Sequence, residues 1–329
     1  MTQLAQYVTK LDSVGASELL LGAGHPPLYR SASGLLPLPG ETPLVGSELL
    51  KLVEAWLGPE RWTHLHTHRA LSCVLGLGPH PRLRVRCSLS QQGATLQLRV
   101  LDSPLTLAEL QLPAQLAVLG DLNAGLVIVT GRHGSGKTNA LAALLQLMAE
   151  RRRRHIVSLE NPVELLHHSR ISSVSQRELG NHFPSFAVGV RSALSANADV
   201  ILLAKPEDDE LCEVAARAAN NAVVLGEVRG RGCIPVLERL MAMAASKGDA
   251  AGFAENFAAI ISLELIPKKG GSRVPACEVV LQSPALKAAL REAKPGGIAK
   301  LPAPSFGQGS QTLEAGKLEL LRQGLIDTH

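Results

Sequence analysis

Eight residues, Gly131-Arg132-His133-Gly134-Ser135-Gly136-Lys137-Thr138, constrain this chain more than any other stretch. They fit the pattern G-x-x-x-x-G-K-[ST]. The chemistry needs those residue types in that order. Glycines let successive backbone N–H groups turn inward around phosphate oxygens, a lysine adds a point charge for the β- and γ-phosphates, and the terminal hydroxyl can hold Mg²⁺. The surroundings agree. Gly125–Thr130 is a continuous apolar run, as a buried strand requires, and Thr138–Arg152 has helical spacing, so the loop opens a helix whose positive N-terminus faces the phosphates. The residues expected to bind a nucleotide are therefore Gly131, Gly134, Ser135, Gly136, Lys137, Thr138 and Asn139, with Thr138 also the candidate Mg²⁺ ligand. His133 reads as a tolerated loop side chain.

The rhythm on either side extends this frame. Ile156–Leu159, Val200–Leu203 and Ala222–Leu225 are short apolar runs, and helical segments such as Phe186–Ala196 and Glu210–Asn220 separate several of them. Such alternation predicts an α/β domain with a mostly parallel sheet covered on both faces. Upstream the pattern is different. A short helix leads into a strand at Glu18–Leu21, and His25–Leu38 is punctuated like a hairpin. Ser47–Leu57 is helical, and Leu71–Leu77, Leu83–Ser88 and Thr95–Leu101 alternate as strands do. The expected organisation is a small α+β domain over 1–103, a linker over 104–118, and the loop-bearing domain over 119–329. Its end, from about 269, reads as helical (Leu286–Ala293, Thr312–Gln323) with a Pro/Gly-rich connector at Pro295–Gly309. Aromatics are 3% of the chain, so Leu, Ala and Val must fill both cores.

Composition excludes some classes. A net charge of +4 is too small to argue for nucleic acid, and nine Phe, Tyr and Trp residues supply no stacking groove, so no nucleic-acid partner is expected. No run reaches the ~18 apolar residues of a membrane span, and the N-terminus lacks a signal-peptide build. Five scattered cysteines without CxxC spacing read as apolar fillers in a reduced, cytoplasmic setting. His64, His66 and His68 alternate as on one face of a strand, and with no carboxylate or cysteine beside them they read as a solvated edge rather than a metal site. Arg151–Arg154 reads as a solvated basic run ending a helix.

Several segments together resemble the PilT/PilU type IV pilus retraction ATPases of the secretion-ATPase superfamily. They are Gly125–Gly131 and the loop, Ile156-Val-Ser-Leu-Glu-Asn-Pro-Val-Glu164, Gln176-Arg-Glu178 and Val190-Arg-Ser-Ala-Leu194. They continue with Gly271-Ser-Arg-Val274, Ser283–Glu292 and Gln311-Thr-Leu313, and Gly15–Pro27 is similar to the start of the family's PAS-like domain. The resemblance spans nearly the whole chain. It implies a RecA-like P-loop domain behind a PAS-like domain, ATP or ADP with Mg²⁺ as cofactors, and a hexameric ring with nucleotide at subunit boundaries. The implied partners are identical subunits or a PilT-type paralogue, and an inner-membrane pilus platform protein. The implied location is cytoplasmic and peripheral to the inner membrane. By the same resemblance Glu160 matches the water-activating glutamate of the Asp box, with Glu164 four positions on. Arg84 and Arg99 match arginines that neutralise developing phosphate charge, while a third such position falls on Gln92.

Three positions depart from the family pattern. Where an apolar strand is followed by Gly-Glu, this chain reads Asp199-Val-Ile-Leu-Leu-Ala204-Lys205-Pro206, placing Lys205 at the Walker B glutamate. Gly226-Glu-Val-Arg229 puts Arg229 at the His-box histidine, and Asn161 replaces an aspartate. All three shift the site toward positive charge. A cation in place of a carboxylate still attracts phosphate but repels Mg²⁺, so the expectation is nucleotide binding with weak or absent hydrolysis, in an accessory or regulatory ring. The alternatives are a working retraction motor that recruits Glu207 or Asp208 to the metal, and a structural ring subunit that binds no nucleotide.

Overall fold

The computed structural model describes residues 2–31, 34–77, 80–91, 93–101, 104–271, 273–292, 296–302 and 305–327. Gln92, Ser272, Ala293 and Pro295, named above, lie outside the described residues. The chain divides into two compact units, Met1–Ser103 and Pro104–His329.

In the first unit α1 (Thr2–Ser13) leads into β1 (Glu18–Gly22), β2 (Leu28–Ser31) and β3 (Gly34–Pro37). Helices α2 (Gly46–Leu57) and α3 (Pro59–His68) follow, then β4 (Ala70–Leu77), β5 (His80–Ser90) and β6 (Gly93–Leu101). The strands form one antiparallel sheet in the order β3-β2-β1-β6-β5-β4. Alternation decides its two faces. Leu83, Val85 and Cys87 of β5 and Leu96 and Leu98 of β6 share a core with Leu4, Tyr7, Val53, Trp56 and Leu65 from the helices. Arg84 and Arg86 belong to the opposite set. Arg84 stands directly across from Arg99, which stands across from Glu18. Like charges in register are unfavourable, and Glu18 offsets them. Burial alone would raise its carboxyl, yet hydrogen bonds from Gln97 and Arg30, with the Arg30 and Arg99 charges, hold it below its ordinary value.

The three histidines are not on a strand. They lie on α3, where His64 and His68, one turn apart, stack at 4.1 Å and His66 meets Trp62 edge-on. Only Leu65 of that helix is buried, so the helix has no apolar stripe by which its period would show.

The second unit begins with a 3₁₀ helix, Ala114–Asp121. Then come β7 (Gly125–Gly131), α4 (Lys137–Arg151), β8 (His155–Glu160), β9 (Ser173–Glu178), α5 (Phe186–Ser195), β10 (Val200–Leu203), α6 (Asp208–Ala218) and β11 (Val223–Arg229). Helices α7 (Cys233–Ser246) and α8 (Ala250–Asn256), strands β12 (Phe257–Pro267) and β13 (Arg273–Leu281), and helices α9 (Pro284–Glu292) and α10 (Leu313–Arg322) complete it. The sheet order is β13-β12-β7-β11-β10-β8-β9, parallel except for β13. The segment after 268 therefore contributes a strand as well as helices. Every residue of β7 is buried. Its Val127 and Val129 pack with α4 and the 3₁₀ helix on one face. Its Leu126 and Ile128 pack with α5, α6, α7 and α8 on the other. This three-layer packing is why the central strands read as unbroken apolar runs.

The basic run that ends α4 is only partly solvated. Arg151 and Arg152 pair with Asp121. Arg154 is buried, and its Nη2 donates to the carbonyls of Gly120 and Leu122 at 3.1 and 2.7 Å. It closes the end of the 3₁₀ helix, whose last carbonyls lack helical partners. All five cysteines are buried.

Candidate functional site

The carboxyl ends of β7, β11, β10 and β8 lie side by side in that order, the edge at which parallel α/β sheets hold their ligands. Each strand delivers a charged residue there. The loop follows β7, and its sequence matches its conformation closely. A Cβ at Gly131 would lie 2.3 Å from Ser135 Oγ and 2.7 Å from the Leu263 carbonyl, so only glycine fits. Gly136, which opens α4, has φ +93°, a backbone that side chains strongly disfavour. Gly134 lies at the exposed turn between them, with Thr138 half-buried and Asn139 exposed in the first turn of α4. Lys137 is buried, and its Nζ donates to the carbonyls of Gly131 and Arg132 at 3.1 and 3.0 Å. Burial pulls its ammonium below the ordinary lysine range, Glu227 pushes back, and Arg229 adds to the depression.

Glu160 ends β8 and is buried. Its carboxylate accepts from Ser158 Oγ, from Gln176 Nε2 at 2.9 Å and from the Glu164 backbone N–H. Burial nevertheless raises its pKa, the three donors oppose the rise, and the Glu164 charge adds to it. Gln176 also donates to the Leu165 carbonyl at 2.8 Å, so β9 fixes the orientation of the acid on β8. Asn161 is exposed.

Lys205 follows β10 with φ +63°, a left-handed backbone unusual for lysine. Its ammonium forms an ion pair with Glu164, which is itself buried. Of the acids that follow, Asp208 pairs with Arg239 and Asp209 with Lys247, while Glu207 is exposed. Arg229 ends β11 directly beside Gly131 in the ladder.

The structure brings one further residue to this edge. Glu227 lies on β11, between the strand that carries the loop and the strand that leads to Lys205. Its Oε2 is inaccessible to solvent and has no hydrogen-bond partner. Burial raises its pKa most, the charges of Lys137 and Lys205 oppose this, Glu164 adds to it, and Arg229 opposes it. Two hydroxyls nearby in sequence to the loop, Thr130 Oγ1 and Ser135 Oγ, are equally unpartnered. The only sequence signal for Glu227 is an acid interrupting the apolar run from Ala222 to Val228.

Among the described residues no group of three or more His, Cys, Asp or Glu side chains could hold a metal ion. A site for Mg²⁺ that arrives with a nucleotide needs only one or two carboxylates, because the phosphates supply other oxygens. Thr138 and the unpartnered Glu227 Oε2 are hard oxygen donors of the right kind, whereas Glu164 is committed to Lys205. Arg84 and Arg99 belong to the other unit.

A family model described as "Type II/IV secretion system protein" matches residues 79–300. The chain belongs to this secretion-ATPase family. Within it the chain is PilT/PilU-like. It is 30% identical to the type IV pilus retraction ATPase PilT of Pseudomonas aeruginosa, over 99% of this chain and 95% of that protein. It is 32% identical to the uncharacterised protein YggR of Escherichia coli K12, over 84% and 86%. Its fold matches a crystal structure of the pilus retraction motor PilT with bound ADP at a TM-score of 0.87, with 27% identity over 98% and 94% of the two chains. The larger unit thus has the RecA-like P-loop fold of the secretion ATPases. Among the described residues no helix is long and apolar enough to cross a membrane.

Proposed function

We propose that this secretion-ATPase family member is a pilus ATPase-type subunit that binds ATP or ADP through Gly131–Thr138 and hydrolyses ATP slowly or not at all. The observation that carries the reading is the Lys205–Glu164 ion pair beside an intact phosphate loop. One cation occupies the post of an acid and engages a second acid. Two unit charges about 4 Å apart at an effective dielectric of about 20 interact by about 4 kcal/mol, so reversing one sign there is a large perturbation. Mg²⁺, when bound with the nucleotide, supplies positive charge against the phosphates. Lys137 and Arg229 supply more, and they favour holding the anion over turning it over.

The remaining roles follow from the same reading. Glu160, raised by burial and oriented by Ser158 and Gln176, is the general base for water. Glu164 assists it only when released from Lys205. Arg84 and Arg99 neutralise phosphate charge from the N-terminal unit of a neighbouring subunit. The assembly is a homo-hexamer or a mixed ring with a PilT-type paralogue, acting on an inner-membrane pilus platform from the cytoplasmic side. Recruitment of Asp208 or Glu207 to the metal is disfavoured because Asp208 is held by Arg239 and Glu207 faces solvent. Titration with a fluorescent ADP tests the binding half. Saturable binding is expected, and its absence in the folded wild-type protein contradicts the reading.

A further inference from the structure

Strand order is what makes Glu227 informative. β11 is inserted between β7 and β10. Glu227 is in register with Val129, two residues before the loop's first glycine, and its neighbour Gly226 is in register with Leu203, two residues before Lys205. A carboxylate at this point lies between the phosphate loop and the position that lost its acid. Gly226 is held tightly, since a Cβ there would meet Leu211 Cδ1 at 2.5 Å, and the strand next to Glu227 therefore has little room to shift. A buried carboxylate oxygen with no donor is costly, and native proteins rarely leave one without a purpose. Lys137 does not resolve it, because that ammonium donates to the Gly131 and Arg132 carbonyls. Lys205 does not resolve it either, because that ammonium is paired with Glu164. A partner arriving with the ligand would, and a divalent cation with its hydration shell is the partner whose chemistry calls for a hard anionic oxygen.

We propose that Glu227 supplies the carboxylate that holds the nucleotide's Mg²⁺, directly or through one water, one strand over from the position now filled by Lys205. The proposal rests on the nucleotide-binding reading above. The acid has moved from the end of β10 to β11, and Lys205 engages Glu164 in its place. The site then keeps a grip on metal–nucleotide through a single carboxylate, while the charge arrangement around the water-activating residues stays unfavourable.

The test is the Mg²⁺ dependence of ADP affinity, read by fluorescent-ADP titration in excess Mg²⁺ and in EDTA. Wild-type protein should bind ADP at least about ten-fold more tightly with Mg²⁺. Glu227→Gln should gain less than about two-fold from Mg²⁺, measured against its own affinity in EDTA. An unchanged Mg²⁺ response in Glu227→Gln overturns the proposal, as does a wild-type affinity indifferent to Mg²⁺. No binding by wild type in either condition overturns the nucleotide reading instead. Should the amide variant fail to fold, Glu227→Asp replaces it, keeping the charge but shortening the reach. Its Mg²⁺ response should fall by about three-fold or more, and an unchanged response overturns the proposal.

Discussion

The two halves of the sheet edge answer to different physical demands. At the end of β7 the requirement is shape. The loop needs glycine where a Cβ would strike Ser135, a left-handed residue to open α4, and a lysine long enough to reach the loop carbonyls. All are present. At the ends of β8, β10 and β11 the proposed requirement is sign of charge, and there Lys205, Asn161 and Arg229 stand where the family resemblance implies two acids and a histidine. Lys205 leaves a buried strand as an acid would, but as an ammonium it pairs with Glu164. Phosphate binding depends on backbone N–H groups and one cation, and it tolerates added positive charge. Hydrolysis depends on acids beside a metal, and it does not. A site can thus lose turnover while keeping its ligand.

The largest expected effect falls on the first half. Lys137→Ala should weaken fluorescent-ADP binding by about 100-fold or more, since it removes a buried charge aimed at the phosphates. A variant that binds within a few-fold of wild type would show that the loop is not the nucleotide site. Next comes repair of the second half. Lys205→Glu combined with Arg229→His should raise phosphate release by about ten-fold or more, a gain of about 1.4 kcal/mol in transition-state stabilisation. No gain would place the defect elsewhere, Asn161 being the first candidate.

A smaller effect separates burial from catalysis at Glu160. Its folded pKa is raised, so the stability it contributes is fully present below the ordinary carboxylate value of 4.5 and is lost as pH rises through the raised folded value. Glu160→Gln stays neutral throughout. Its Tm relative to wild type should therefore climb as the pH rises above 4.5. A Tm difference independent of pH would contradict the assignment. The smallest effect is expected at Glu207. Glu207→Gln should leave whatever phosphate release the protein shows unchanged within about two-fold, because the side chain faces solvent. Loss of activity would favour a working motor with a rearranged loop.

The features legible in sequence were those that local spacing encodes. Gly131–Thr138 sits between an apolar run and a helical pattern, so loop, strand and helix could be placed together. Lys205 and Arg229 stood out because each follows a recognisable strand. Glu227 did not, because its importance comes from β11 lying between β7 and β10, an order no periodicity reports. The helix α3 was hidden by His-x-His-x-His, which imitates a strand while a single buried leucine anchors the helix. Strand β12 begins directly after α8 at Phe257 with no intervening turn, so the apolar helix and apolar strand run together in sequence. In sequence Arg154 is one of four consecutive arginines, and only its contacts with the carbonyls of Gly120 and Leu122 show why it is buried.

Turnover by the nucleotide-bound protein decides whether Lys205 disables the site. Phosphate release by the purified wild-type chain, at saturating Mg²⁺ and ATP, should run well below about 1 s⁻¹, the low end for ordinary enzymes. A steady rate at or above that value, abolished by Lys137→Ala, would contradict the claim that Lys205 has disabled the site.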